Sequence, residues 1–238
     1  MAEKFRYRLV KPARLLYSSV AQKSAPKLKS GGTAEPKYGG TFGIEKEDFD
    51  EIVKLEVRAI KSETGNFTNP ADYYLACTSG ETAAKRVIQA AEFDAQSATP
   101  DEALKIVEKA EKRAEMYRQY AGILVAASKY DVELCRLENG KIIDIDVSTD
   151  TNRAMAAREY FYGGAYVVPA VAFSGYRRKK LEDRDGVTAY LQNVLFVRKG
   201  DRIGGLAPSN KEVFGGFSDY DPTLGGAATD DLDDDVAF

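Results

Sequence analysis

The sequence predicts a mainly β chain with inserted helices, an α+β fold built on a small, mostly antiparallel barrel with helical decoration. Three observations carry that prediction. Short runs of alternating or continuous apolar residues recur at irregular intervals along the 238 residues, about six of them in all. An Asn-Gly pair at 139–140 joins two of these runs as the turn of a hairpin does. The regular alternation of strand and helix that a doubly wound parallel sheet requires is missing.

Each element has its own signal. In "KFRYRLV", Phe5, Tyr7 and Leu9 fall on one face of a strand, and Arg6, Arg8 and Val10 on the other. Residues 21–36, rich in Ser, Gly, Pro and Lys, read as a loop, with "KYGGTFGI" behind them as a second strand. "EKEDFDEIVKLEVRAIK" sets Phe49, Ile52, Val53, Val57 and Ile60 on one helical stripe that Gly65 ends. A helical block follows around residues 70–120. Ala84, Val87, Ile88 and Ala91 keep register in its first helix. The second opens on Thr99, Pro100 and Glu102, a capping box with proline at the first helical position. Its seam of Ala103, Val107, Ala110, Ala114 and Tyr117 is narrow enough for close packing on a neighbour. Strands over "GILVAASKY", "VELCRL" and "KIIDIDV" come next, then a short helix in "TDTNRAMAAREYF" and two long strands, "AYVVPAVAFSGYRR" and "GVTAYLQNVLFVRKG". The expected organisation is a domain over 1–205 and a disordered acidic tail over 206–238.

Composition narrows the chemistry. The chain has no histidine, which removes the commonest general base and metal ligand, and with it any Ser-His-Asp or Cys-His triad. Cys77 and Cys135 lie too far apart in sequence for a C-x-x-C motif and suggest no disulfide framework, in keeping with a reducing cytoplasm. No apolar run approaches the roughly 18 residues of a membrane span, and the N-terminal pattern is not that of an export signal. Asp144 and Asp146 share one face of a strand, the spacing of a divalent-metal pair, but also that of a solvated strand running into a helix start. We expect no catalytic residue, no metal and no cofactor.

Charge is unevenly placed. From Gly216 onward there are seven aspartates and no cation, so the tail's −7 leaves +4 on residues 1–215 of a chain whose total is −3. Basic and aromatic residues alternate in the body. Lys23, Lys27 and Lys29 lie in the first loop, and Arg177, Arg178, Lys179 and Lys180 follow a strand on which Tyr166 and Tyr176 share a face. In "GVTAYLQNVLFV", Val187, Ala189 and Leu191 point inward, which turns Thr188, Tyr190 and Gln192 outward. Cations that follow phosphates and flat rings on which unpaired bases stack are what single-stranded nucleic acid needs.

Three stretches, "PKYGGTFGI", "YGGAYVVPAVAFSGY" and "GVTAYLQNVLFVRKGDRIGG", together with the acidic end, resemble a family of tailed-phage single-stranded DNA-binding proteins formerly catalogued as a domain of unknown function. The resemblance covers roughly residues 5–60 and 160–205 plus the tail. It leaves out the helical block, and the chain has no tryptophan for stacking. It implies an OB-fold-like barrel that binds single-stranded DNA with little sequence preference during phage replication or recombination, in the cytoplasm of an infected bacterium. The residues expected to contact DNA are Arg6, Arg8, the three loop lysines, Tyr166, Tyr176, Tyr190 and the cations at 177–180. The closing "DDLDDDVAF" resembles the tails of bacterial and phage single-stranded DNA-binding proteins. That implies a docking segment for replication or recombination proteins in Asp230, Asp231, Asp233, Asp234, Asp235 and Phe238, which also competes with DNA for the basic surface. The reading from another class is a protein-interaction adaptor acting through this tail, with no nucleic-acid binding.

Overall fold

Packing of the alternating segments closes a ring. In a computed structural model, residues 3–25, 33, 35–178 and 184–203 are described. The strands are β1 (Lys4–Arg8), β2 (Ala13–Ser24), β3 (Lys37–Ile44), β4 (Cys77–Ser79), β5 (Gly122–Ser128), β6 (Glu133–Glu138), β7 (Lys141–Asp144), β8 (Tyr166–Tyr176) and β9 (Gly186–Arg198). The α-helices are α1 (Lys46–Thr64), α2 (Gly80–Ala95), α3 (Pro100–Arg118) and α4 (Asp150–Glu159). Strands β2, β3, β5, β9 and β8 pair in that order, and β8 returns to β2, so five strands form a closed ring. All its contacts are antiparallel except β5–β9, which is parallel. β1 extends the outside of β8, the β6–β7 hairpin extends β9, and β4 adds to β5. The mainly β, α+β architecture predicted from sequence is present.

Two of the ring's joints are short. β2 meets β8 through Ala13↔Val167 and Arg14↔Tyr166, and β5 meets β9 through the single pair Ala127↔Tyr190. Strands that touch at one pair diverge on either side of it, and the surface opens there.

The core fills the ring from alternate positions: Leu15, Phe42, Leu124, Val171, Phe173, Leu191 and Val194 are buried. α1 closes one side with Ile52, Ala59 and Ile60. It lies so close to β8 that a Cβ on Gly175 would stand 2.2 Å from the Ala59 carbonyl oxygen. A second apolar cluster lies outside the ring, where Leu16 and Ile123 meet Ala83, Ala84, Ala114 and Tyr117 of the α2–α3 pair. Ala114 and Tyr117 are the C-terminal part of the predicted seam; Ala110 is also buried, while Ala103 and Val107 are half-buried. The start of α2 rests on the end of α3, and a Cβ on Gly80 would come within 2.3 Å of the carbonyl oxygens of Tyr117 and Tyr120.

Local signals read from sequence are in place. Thr99 and Glu102 form the capping box, Gly65 ends α1 at φ 81°, and Asn139 and Gly140 turn β6 into β7 with φ of 51° and 75°. Two expectations are corrected. Among the described residues there are nine strands instead of about six; the two that no predicted segment marked are β2, which had no clean alternation, and three-residue β4, too short to leave a pattern. Lys23 belongs to β2 and not to a loop: its polar end stays paired, Ser24 opposite Lys37, since pairing satisfies the backbone whatever the side chains are. No described helix is long and apolar enough to cross a membrane.

Candidate nucleic-acid interface

Tyr190 lies at the ring's weakest joint and is the centre of one continuous row. Opposite residues of paired strands share a face. Successive pairs run Arg6↔Ala172, Ala172↔Tyr190, Tyr190↔Ala127, Ala127↔Gly39 and Gly39↔Ser19, across β1, β8, β9, β5, β3 and β2. Apart from the arginine and the tyrosine, every member of the row is Gly, Ala or Ser. Small side chains make a low floor. At Gly39 there is little room for more, since a Cβ would meet the Ala126 carbonyl oxygen at 3.0 Å.

Two hollows open on this floor and share Lys37 and Ala127 in their linings. The first runs over β2 and β3 past Tyr17 to Arg113, and the second over the diverging ends of β5 and β9 past Tyr190 to Tyr130 and Lys4. Three rings stand beside the floor: Tyr17 at 41 %, Tyr190 at 43 % and Tyr130 at 81 % exposure, values that leave ring surface free for stacking. Arg113 reaches from α3 to lie 4.5 Å from the Tyr17 ring centre and donates from Nε to the Tyr117 hydroxyl at 2.9 Å. Lys4 Nζ lies 5.4 Å from the Tyr190 ring centre.

The electrostatics favour an anion along this path. The carboxylates lining the hollows are Glu35, Asp131 and Glu133, and each has a partner. Glu35 pairs with Lys129, Asp131 with Arg153, and Glu133 accepts from the Asn193 amide. The Lys129 ammonium holds Glu35 below the usual carboxylate range. Lys4, Lys37 and Arg113 make no ion pair among the described residues. Arg6 adds a fourth cation on the row itself. Burial raises the hydroxyl of Tyr17 above the ordinary tyrosine range, so it stays neutral beside Arg113.

The residues singled out from sequence divide into groups. Tyr190 and Arg6 lie on the floor row, and Val187, Ala189 and Leu191 are buried as the alternation required. Arg8 is one step along β1, opposite Ala170. Lys23 Nζ lies 5.1 Å from the Tyr38 ring centre, next to the first hollow. Tyr166 is elsewhere: six residues along β8 from Ala172, or about 20 Å, with Arg198 stacked 3.5 Å from its ring centre. Tyr176 is at the other end of β8, opposite Gly186. Arg177 donates from Nε to the Glu63 carbonyl and ties the β8–β9 hairpin to the end of α1, while the Arg178 backbone N–H donates to Asp185. Lys27, Lys29, Lys179, Lys180 and Asp230 to Phe238 lie outside the described residues. Asp146 accepts from the Ser148 backbone and the Asn152 amide at the start of α4, and among the described residues no cluster of three or more metal-ligating side chains occurs.

Sequence reasoning passed over Tyr17, Lys37, Arg113, Tyr130 and Lys4. Five different segments supply them, so no spacing links them. The readable trace was local: Lys37-Tyr38 at the start of β3 and Lys129-Tyr130 just past the end of β5 repeat a cation beside a tyrosine, with Tyr38 opposite Ser128.

No family model and no curated protein matches this chain. Solved structures do. The chain is similar to the single-stranded DNA-binding protein from bacteriophage Enc34, with a TM-score of 0.51 at 14% identity over 89% of each chain. A C-terminal truncation of that protein gives 0.52 at 16% identity over 84% of this chain and 88% of that one. The same phage protein in complex with ssDNA gives 0.50 at 16%, over 85% and 89%. Likeness at such identity establishes a shared fold.

Proposed function

We propose that this chain is a non-catalytic single-stranded DNA-binding protein of a bacteriophage. It coats strands exposed during replication or recombination in the infected cell, with little sequence preference. One observation carries the reading: a floor of small residues crosses the ring at its open joint, with exposed tyrosines and unneutralised cations along it. Stacking on tyrosine tolerates any base, and the cations meet the phosphates that every sequence shares. The phage protein with the same fold is a single-stranded DNA-binding protein and has been solved with ssDNA. The acidic end is the docking segment for replication or recombination proteins, with Phe238 as its apolar anchor.

Fluorescence anisotropy of a labelled oligothymidine against a duplex of equal length tests the reading. With Lys4, Arg6, Lys37 and Arg113 on phosphates, log K falls against log salt with a slope of about −3, at about 0.7 per contact. The duplex binds more weakly, because paired bases cannot stack on the tyrosines. Binding that ignores salt, or that prefers the duplex, overturns the proposal, and binding to neither oligonucleotide leaves the adaptor reading.

A further inference from the structure

A second group of cations sits at the other end of β8 and β9. Arg14, Tyr166 and Arg198 form one cross-strand row, Arg14↔Tyr166 and Tyr166↔Arg198. Arg14 donates from Nη1 to the Tyr166 hydroxyl at 3.0 Å and from Nη2 to the Asp201 carbonyl at 2.9 Å, and Arg198 stacks on the same ring. Beside the row is a hollow lined by Arg158, Glu159, Tyr162, Lys199, Gly200 and Arg202. There Arg202 lies 4.2 Å from the Tyr162 ring centre and donates to the Arg158 carbonyl.

Phenols and carbonyl oxygens order Arg14, Arg198 and Arg202 without neutralising them. Among the described residues none of Arg14, Arg158, Arg198, Lys199 and Arg202 forms an ion pair. Glu159 is the one carboxylate lining the hollow, and Asp201 supplies only its backbone oxygen. Hydrogen bonds from Arg14 and Arg198 hold the Tyr166 hydroxyl below the ordinary tyrosine range, the sign of an uncompensated positive field. Ordered like charges repel, and an anion relieves them. Between this group and Tyr190, Arg6 and Arg8 stand opposite Ala172 and Ala170, so cations recur along β8 from position 172 to 166, a distance of about 20 Å.

We propose that this second cluster is a phosphate-contact site for the same single strand. On this view the strand crosses the floor at Tyr190 and then follows β8 to Arg14, Arg198 and the Arg158–Lys199–Arg202 hollow. The proposal rests on reading the floor as a single-strand site. Guanidinium groups held planar against rings suit phosphate oxygens, which they meet through two parallel N–H donors.

The test uses the full chain carrying Arg158→Gln and Lys199→Gln, two exposed side chains with no partner among the described residues, whose loss leaves the packing alone. Affinity for oligothymidines of about 4 and about 16 nucleotides, the range of site sizes of such folds, is measured over a salt series. The longer oligonucleotide binds more weakly at low salt, with a slope shallower by about 1.4, two contacts at about 0.7 each. The shorter one, held on the floor, is unchanged. Lys61→Gln with Lys105→Gln, an equal change of charge elsewhere, alters neither. Equal weakening of both oligonucleotides in both variants, or an unchanged long one, overturns the second site. Should the double variant fail to fold, Lys199→Gln alone gives the same reading with a change of about 0.7. If the unmodified protein binds neither oligonucleotide, the floor's own assignment has failed and the second site falls with it.

Discussion

Tyr190 and Tyr166 show why a residue's neighbours decide its use. Both are tyrosines on outward positions of long strands, yet Tyr190 keeps 43 % of its surface exposed and Tyr166 lies under Arg198 with its hydroxyl bonded to Arg14. Tyr190→Ala is expected to cost about 1–3 kcal/mol of single-stranded DNA binding and to leave the melting temperature nearly unchanged. Tyr166→Ala removes the platform of two guanidinium groups and lowers the melting temperature more. A Tyr190→Ala protein that melts early but binds normally would move that ring from the interface to the core. Glu56 gives a different prediction. It is buried on α1 beside an apolar hollow lined by Phe49, Val53, Val57 and Leu75, and its Oε1 accepts from the Cys77 backbone N–H at 2.8 Å. Burial pushes its carboxyl up to about 8, above the ordinary 4.5, against the smaller opposing effect of backbone hydrogen bonds from Cys77 and Ala76. A raised carboxyl stabilises the fold fully below the unfolded value, and that stability is lost as pH climbs through the folded one. The unfolding free energy from urea titration should therefore fall between about pH 5 and about pH 8, by at most about 1.4 kcal/mol per pH unit, and stay flat in Glu56→Gln. A parallel fall in the variant would assign the dependence to another group.

At the scale of the element, the ring decides where the floor lies and the helical pair decides where it ends. α3 is held against Leu16 and Ile123 by its alanine seam, and this places Arg113 beside Tyr17. Much of that was legible in sequence. The seam, the capping box, the Asn-Gly hairpin and the inward set of β9 follow from rules acting within a few residues, and all are present. β2 was not legible because Leu15 and Leu16 are both buried, one in the ring and one under the helices, so two cores on opposite faces erase the alternation. The floor was not legible because β1, β8, β9, β5, β3 and β2 each give it one residue, and only the pairing register puts those residues in line. That register yields a prediction. Ala127 stands between Tyr190 and Gly39 and lines both hollows. Ala127→Leu should weaken oligothymidine binding about tenfold by filling the floor, with a melting temperature close to the parent's. Unchanged affinity would mean that the strand does not cross the ring at this joint.

For the whole molecule the governing fact is that opposite charges are kept in separate parts of the chain. Residues 1–203 carry +4 and residues 204–238 carry −7. A nucleic-acid strand and an aspartate-rich segment are both polyanions that answer to the same positive field, so the tail is predicted to lower the potential available to DNA. Deleting Asp230 to Phe238 removes five negative charges and turns the net charge from −3 to +2. Single-stranded DNA binding should then tighten several-fold at about 0.01 M salt, where fields reach about 30 Å, and hardly at all at about 1 M, where they reach about 3 Å. Phe238 makes a separate demand, because its ring adds nothing to the field but gives a partner's apolar pocket something to hold. Removing Phe238 alone should leave DNA affinity as it was at every salt concentration while abolishing capture by a replication or recombination protein. If the nine-residue deletion weakens DNA binding, or leaves it equal at both salts, the tail is no competitor. Its function would then be docking alone, and the +4 of the preceding residues would act on DNA unopposed.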